Sequence, residues 1–256
     1  MLSYRQSKAD TACNLECLQD KPAVHEFVGP VKIVLMDIPT RVYLKKMCLA
    51  AFIGMAKLML GATLMTVLYF MLSLKTTLMG SLHIILCTFG YQLFMPSGIL
   101  MMSTLHGPSA QMKSKDRRKH HMIIQIIGLM CALGGSALAF MPDGFKSIRL
   151  ILTPHSIAGL TAGGFAVLSL ISGPALFCTI ERSGFSNCLK GTHVVFGVPA
   201  MLASSTCFCL GIYFSKKFNE WAPLKEMVFI PIIFCALYTL IIIYTPLRKL
   251  CNPNIT

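Results

Sequence analysis

Four histidines, His83, His121, His155 and His193, are set in a doubled interval: His155 follows His83 at i+72, and His193 follows His121 at i+72. A shorter interval, i+38, joins His83 to His121 and His155 to His193. Each lies just inside the N-terminal end of a long apolar stretch. Imidazole near neutral pH can pass protons or bind a transition metal through one ring nitrogen. Either chemistry requires the rings to be brought together, so the elements that carry them decide what they do.

Composition defines those elements. The chain has 256 residues, 55% hydrophobic and 13% charged, with a mean hydropathy of +0.67. These values place it outside the range of soluble domains and within the membrane class. Six stretches, 47–74, 78–103, 121–141, 151–180, 191–214 and 227–247, hold no formal charge apart from Lys57. Each is at or above the roughly 20 residues that a helix needs to cross a bilayer. The expected fold is an all-α integral membrane protein of six transmembrane helices. A polar arm over 1–42 precedes the six-helix domain (43–250), and a short tail covers 251–256. Ionisable side chains inside a bilayer are read as functional by default, and here four sit at similar depth in successive spans.

Residues 1–42 are polar, mixed in charge and lack an apolar signal-peptide core, so no cleavable leader is expected and the N-terminus should stay cytosolic. The basic residues agree. Eight lie in the arm through Lys57, five between spans two and three (Lys113, Lys115, Arg117, Arg118, Lys119), two after span four (Arg182, Lys190) and two at the end (Arg248, Lys249). The opposite side holds Lys75, Lys146, Arg149, Lys216, Lys217 and Lys225. The positive-inside rule therefore puts both termini in the cytosol. The net charge of +13 is orientation signal and attraction to anionic lipid, and calls for no nucleic acid.

Two features have plain readings. Lys57, about two turns into the first span, is expected to snorkel to the cytosolic surface rather than line an ion path. Most of the 11 cysteines (Cys48, Cys87, Cys131, Cys178, Cys207, Cys209, Cys235 among them) fall within apolar spans, where thiols behave as small hydrophobes. Cys13 and Cys17 in the arm have no second pair nearby to complete a zinc site.

The shorter interval is one crossing plus one connection, so it changes membrane face, whereas the longer one returns to it. His83 and His155 then share the non-cytosolic side, and His121 and His193 the cytosolic side. Two imidazoles reaching inward from facing helices of a bundle are suitable axial ligands for a haem iron. Two such pairs make two haems stacked across the membrane. Gly159 and Gly197 follow His155 and His193 at i+4 and leave room on the same face for a flat macrocycle. Gly134, Gly135, Gly163 and Gly164 read as close helix packing. Only His121 of the His120–His121 pair gives the repeated intervals; His120, His106 and His25 read as surface histidines.

At this point the chain resembles the cytochromes b561, in particular their short, core-only transmembrane reductases, over residues 45–247. The resemblance rests on RRKHHMIIQIIGLMCALGG at the third span, PHSIAGL at the fourth and GTHVVFG at the fifth. The second span, SLHIILCTFGYQLFMPSGILMM, departs from it. Family members often carry a proline after the histidine and an acidic residue later, whereas here Pro96 stands deep in the helix and should kink it.

The resemblance implies two b haems, with helices two and four holding one and helices three and five the other. This is the pairing the spacing gave. It also implies transfer of electrons from cytosolic ascorbate to monodehydroascorbate or a ferric chelate on the far side. Lys115, Arg117, Arg118 and Lys119 lead into the cytosolic haem helix and would attract anionic ascorbate and the haem propionates, besides orienting the helix. Lys146 and Arg149 precede His155 and would face the acceptor. An endomembrane location, ER or vesicle, is expected, with a homodimer as an open assembly. A proton-coupled transporter with histidine relays and a haem-binding subunit without turnover are the rival readings. Spans two to five supply no carboxylate or amine between the faces, which weighs against a relay.

Overall fold

The computed structural model describes residues 39–73, 78–140, 152–178 and 183–251; the side chains at 140, 174–178, 183–188, 249 and 251 are not among those described. The arm before 39, the tail after 251, and Lys75, Lys146, Arg149 and Arg182 lie outside the described residues, as do Cys13, Cys17 and His25. Six long helices account for most of the rest: α1 (Thr40–Ser73), α2 (Leu78–Met101), α3 (Ser114–Phe140), α4 (Pro154–Cys178), α5 (Ser183–Phe214) and α6 (Phe229–Cys251). All six are long and apolar enough to cross a membrane, and the protein is a multi-pass integral membrane protein. Lipid offers no hydrogen bonds, so each backbone must satisfy its own polar groups, and a helix does so within one segment. Hydroxyls inside the helices do the same, as where Thr66 Oγ1 donates to the Ala62 carbonyl at 2.9 Å.

The break expected at Pro96 takes the form of a π-helical segment, Thr88–Phe94, between two α-helical parts of α2. Proline has no N–H to offer the carbonyl four residues back, and the wider turn moves the neighbouring bonds by one residue. The Met95 N–H accordingly bonds the Gly90 carbonyl.

Helix α2 packs along α3 and α4 along α5, while α3 lies beside α4 and the π segment of α2 beside α5. These contacts close a ring of four helices. Helices α1 and α6 pack together and flank it, with α6 against α5 and α1 against the π segment. Small residues let the backbones approach. A Cβ on Gly90 would stand 2.6 Å from the Ala132 nitrogen, and one on Gly135 would stand 2.9 Å from the Cys87 nitrogen, so both α2–α3 contacts require glycine. Ala132, Ala162, Met201, Cys235 and Tyr238 form the sealed centre, while Leu58, Leu72, Met130, Ile171 and Leu240 point outward, as lipid-facing residues do.

Candidate metal centres

The ring of four helices brings the histidines together in the two pairs that the repeated interval predicts. His83 on α2 faces His155 on α4, with ring centroids 6.2 Å apart and planes at 87°. His121 on α3 faces His193 on α5 at 5.9 Å and 78°. The helices alternate in direction, so the pairs lie at opposite ends of the ring. The His121–His193 pair is at the end where the basic residues 113–119 enter α3.

Each imidazole is anchored through Nδ1 to a backbone carbonyl. His83 bonds Gly135 O at 2.8 Å, His121 bonds Gly98 O at 2.7 Å, His155 bonds Cys207 O at 2.9 Å and His193 bonds Ser169 O at 2.9 Å. Helices α2 and α3 thus exchange anchors, as do α4 and α5. A carbonyl can only accept, so all four Nδ1 atoms carry the proton and all four Nε2 atoms keep a free lone pair. A second hydrogen bond of this kind, from the other ring nitrogen to a carbonyl, is the usual support of a metal-bound histidine.

Around His83 and His155 lies a cavity of about 500 Å³, largely apolar, whose wall includes Cys87, Tyr91, Gln92 and Cys207. The sulfurs of Cys87 and Cys207 stand 3.6 and 3.5 Å from Nδ1 of His83 and His155. Beside His193 the corresponding neighbours are hydroxyls, Ser169 Oγ and Ser172 Oγ, each 3.3 Å from Nδ1. The wall residue Gln92 is buried and tied across to α6. It accepts from Tyr238 Oη and donates to the Ser204 carbonyl at 3.2 Å.

The glycines near the rings differ in what they touch. A Cβ on Gly159 would meet Cys207 Sγ at 3.1 Å, and one on Gly197 would meet Ser169 Oγ at 3.2 Å. Each position therefore touches one side-chain atom of the neighbouring helix at the α4–α5 contact. The glycines that touch the ligand rings are Gly211, where a Cβ would lie 3.0 Å from His155 Cε1, and Gly173, at 3.6 Å from His193 Cε1. The packing expected of Gly135 and Gly163 holds, with Gly163 against Tyr91 Oη, but Gly134 and Gly164 face open space.

At the basic end, Lys115 and Lys119 are exposed and Arg117 and Arg118 half-buried. Arg117 donates to the Met112 carbonyl at 2.6 Å. Arg118 lies three residues before His121, on its face of the helix, and its Nε is buried without a partner. His120 is exposed and bonds the Asp116 carbonyl at 2.8 Å, as a surface residue would. His106 is more than a surface histidine: it is half-buried, its Nδ1 has no partner, and burial together with the Lys57 ammonium holds its pKa below the ordinary value. Lys57 is half-exposed.

A multi-pass helical membrane protein with two inward-facing histidine pairs is the class that fold and site define. A sequence profile of the family described as Eukaryotic cytochrome b561 matches residues 82–219, more than half of the chain and all four paired histidines. The chain belongs to the cytochrome b561 family, a family of haem b proteins. It is 27% identical over 135 residues to a Mus musculus protein named Transmembrane reductase CYB561D2, a match covering 52% of this chain and 60% of that relative. No solved structure matches the chain.

The paired rings fit a shared metal. With metal–nitrogen bonds of about 2.0–2.1 Å and about 1.1 Å from nitrogen to ring centre, two imidazoles on one ion can stand at most about 6.2–6.4 Å apart. The His83–His155 separation falls at the edge of this range and the His121–His193 separation just below it.

Proposed function

We propose that the protein carries electrons across the membrane from cytosolic ascorbate to monodehydroascorbate or a ferric chelate on the other side, using two b haems. His83 and His155 would hold one haem, and His121 and His193 the other. The observation that carries this reading is the set of four Nδ1-to-carbonyl hydrogen bonds, which leave Nε2 free on four rings that stand in two close pairs. When bound, the haem would supply a reversible one-electron change at its iron, held by the paired histidines.

The chain's own residues do the rest. The carbonyl anchors fix the tautomer and ring direction and raise the basicity of Nε2. The largely apolar cavity at His83 and His155 would offer a haem an apolar surface to pack against. Arg118, with Lys115, Arg117 and Lys119, is placed to attract anionic ascorbate toward the His121–His193 end, which the distribution of basic residues assigns to the cytosol. Lys146 and Arg149 are assigned to the acceptor side by sequence.

The test is the absorption spectrum and haem content of the purified protein before and after ascorbate. Reduced b-haem bands and two haems per chain are expected. A protein without haem would end this reading, and one whose haem ascorbate cannot reduce would leave a haem-binding subunit without this donor.

A further inference from the structure

The two histidine pairs differ in what flanks them. At His83 and His155 the side-chain atom within hydrogen-bonding reach of Nδ1, besides its carbonyl anchor, is a sulfur: Cys87 Sγ at 3.6 Å and Cys207 Sγ at 3.5 Å. The arrangement is doubled across the ring. Cys87 sits one turn after His83 and packs on Gly135 of α3, whose carbonyl anchors His83. Cys207 packs on Gly159, one turn after His155, and its own carbonyl anchors His155. Each thiol lies beside the Nδ1 edge of an imidazole, the edge that its carbonyl anchor also holds. Sulfur accepts and donates hydrogen bonds weakly and packs as an apolar atom. At His193 the same space holds two hydroxyls.

We infer that Cys87 and Cys207 are positioning residues that keep the back edges of His83 and His155 apolar and thereby hold the reduction potential of that centre up. This rests on the haem reading of the pair. Ferric iron in a b haem carries one net positive charge that the added electron removes. A polar group near the ligands stabilises the charged ferric form, and a strong acceptor on Nδ1–H makes the imidazole a better donor to ferric iron. Both effects lower the potential. A sulfur, a weak hydrogen-bonding atom that packs as an apolar one, supplies little of either.

The experiment is an equilibrium redox titration of the purified holoprotein, followed by absorption, for Cys87→Ser, Cys207→Ser, Cys87→Ala and Cys207→Ala. In the serine variants one of two haems is expected to become harder to reduce. Its ferric-to-ferrous ratio at fixed ambient potential should rise several-fold to about tenfold, the latter being about 59 mV for a one-electron couple. The other haem should stay where it was. The alanine variants keep the edge apolar and should titrate near the parent, which separates polarity from loosened packing. Serine variants that retain both haems at parental potentials would overturn the inference while leaving the proposed function intact, as would alanine variants that shift as far as serine. A parent protein with no haem would remove both.

Discussion

The carbonyl oxygens of Gly135 and Cys207, set apart in the chain by the same interval as His83 and His155, make the same bond: each accepts from Nδ1 of a histidine 52 residues earlier, His83 for Gly135 and His155 for Cys207. The repeat in the histidines is therefore also a repeat in their anchors, and α2–α3 and α4–α5 are two copies of one device. The other two anchors nearly match, with Gly98 lying 23 residues before His121 and Ser169 lying 24 before His193. Each copy supplies one histidine to each end, so neither can complete a metal site alone.

From this follows the expected behaviour of single ligand variants. Replacing any one of His83, His121, His155 or His193 by alanine should remove one haem and leave the other pair, which uses different histidines, largely occupied. Haem-to-protein ratios near one in all four variants are expected against about two in the parent. His120→Ala should keep both, because its ring bonds only its own helix at Asp116. A parental ratio of one would break the two-site assignment.

Gly211 offers a steric test that leaves every ligand in place. A Cβ there would stand 3.0 Å from Cε1 and 3.1 Å from Nδ1 of His155, a ring already fixed by the Cys207 carbonyl. Gly211→Val should turn the ring off its axis or push the helices apart, at about 1–3 kcal/mol of overpacking. The expected result is loss of the His83–His155 haem with the other retained. Gly134→Val, where nothing lies within 4 Å, is the control and should bind as the parent does. Full haem content in Gly211→Val would mean that His155 tolerates displacement and is not a tightly held ligand.

These tests also mark how far the sequence could be read. Histidines stand out in apolar spans because charge-bearing groups are costly there, and their spacing gave the helix pairing without knowledge of a single contact. Glycine carries no such label. Gly159 and Gly197 sit on the ligand face by helical phase, yet whether the space beside them is empty depends on Cys207 and Ser169 of neighbouring helices, which spacing along one helix cannot reveal. Gly211 was missed for the same reason. Cys87 did have a signal, lying four residues after His83, but the general rule for membrane cysteines concealed it. Pro96 announced a disturbance in α2, and its form, a π segment that carries Gln92 to Tyr238, depended on partners in α6.

The basic entry to α3 has its own prediction. Neutralising Arg117, Arg118 and Lys119 together with glutamine should slow reduction by ascorbate and flatten its dependence on ionic strength, because an exposed positive patch attracts an anion through a field that salt screens. Arg118 should account for most of the loss, since it shares the face of His121 and its Nε has no partner of its own. Stopped-flow traces at several salt concentrations, on protein shown to carry full haem, decide the matter. An unchanged rate with an unchanged salt slope would assign these charges to helix orientation alone.

The two centres at opposite ends of the ring predict transfer across the membrane in series. Vesicles loaded with a ferric chelate, with the His121–His193 end outward, should reduce their contents when ascorbate is added outside. His155→Ala should stop this transfer while external ascorbate still reduces the remaining haem, because the electron has a way in and no second centre near the lumen. His193→Ala should abolish reduction by external ascorbate, since the remaining pair lies at the far end of the ring. The two variants therefore fail at different steps, and absorption and trapped ferrous chelate, measured on the same vesicles, tell them apart. Parental rates of chelate reduction by the His155 variant would show that electrons leave without the His83–His155 centre, and the order of the two sites would have to be given up.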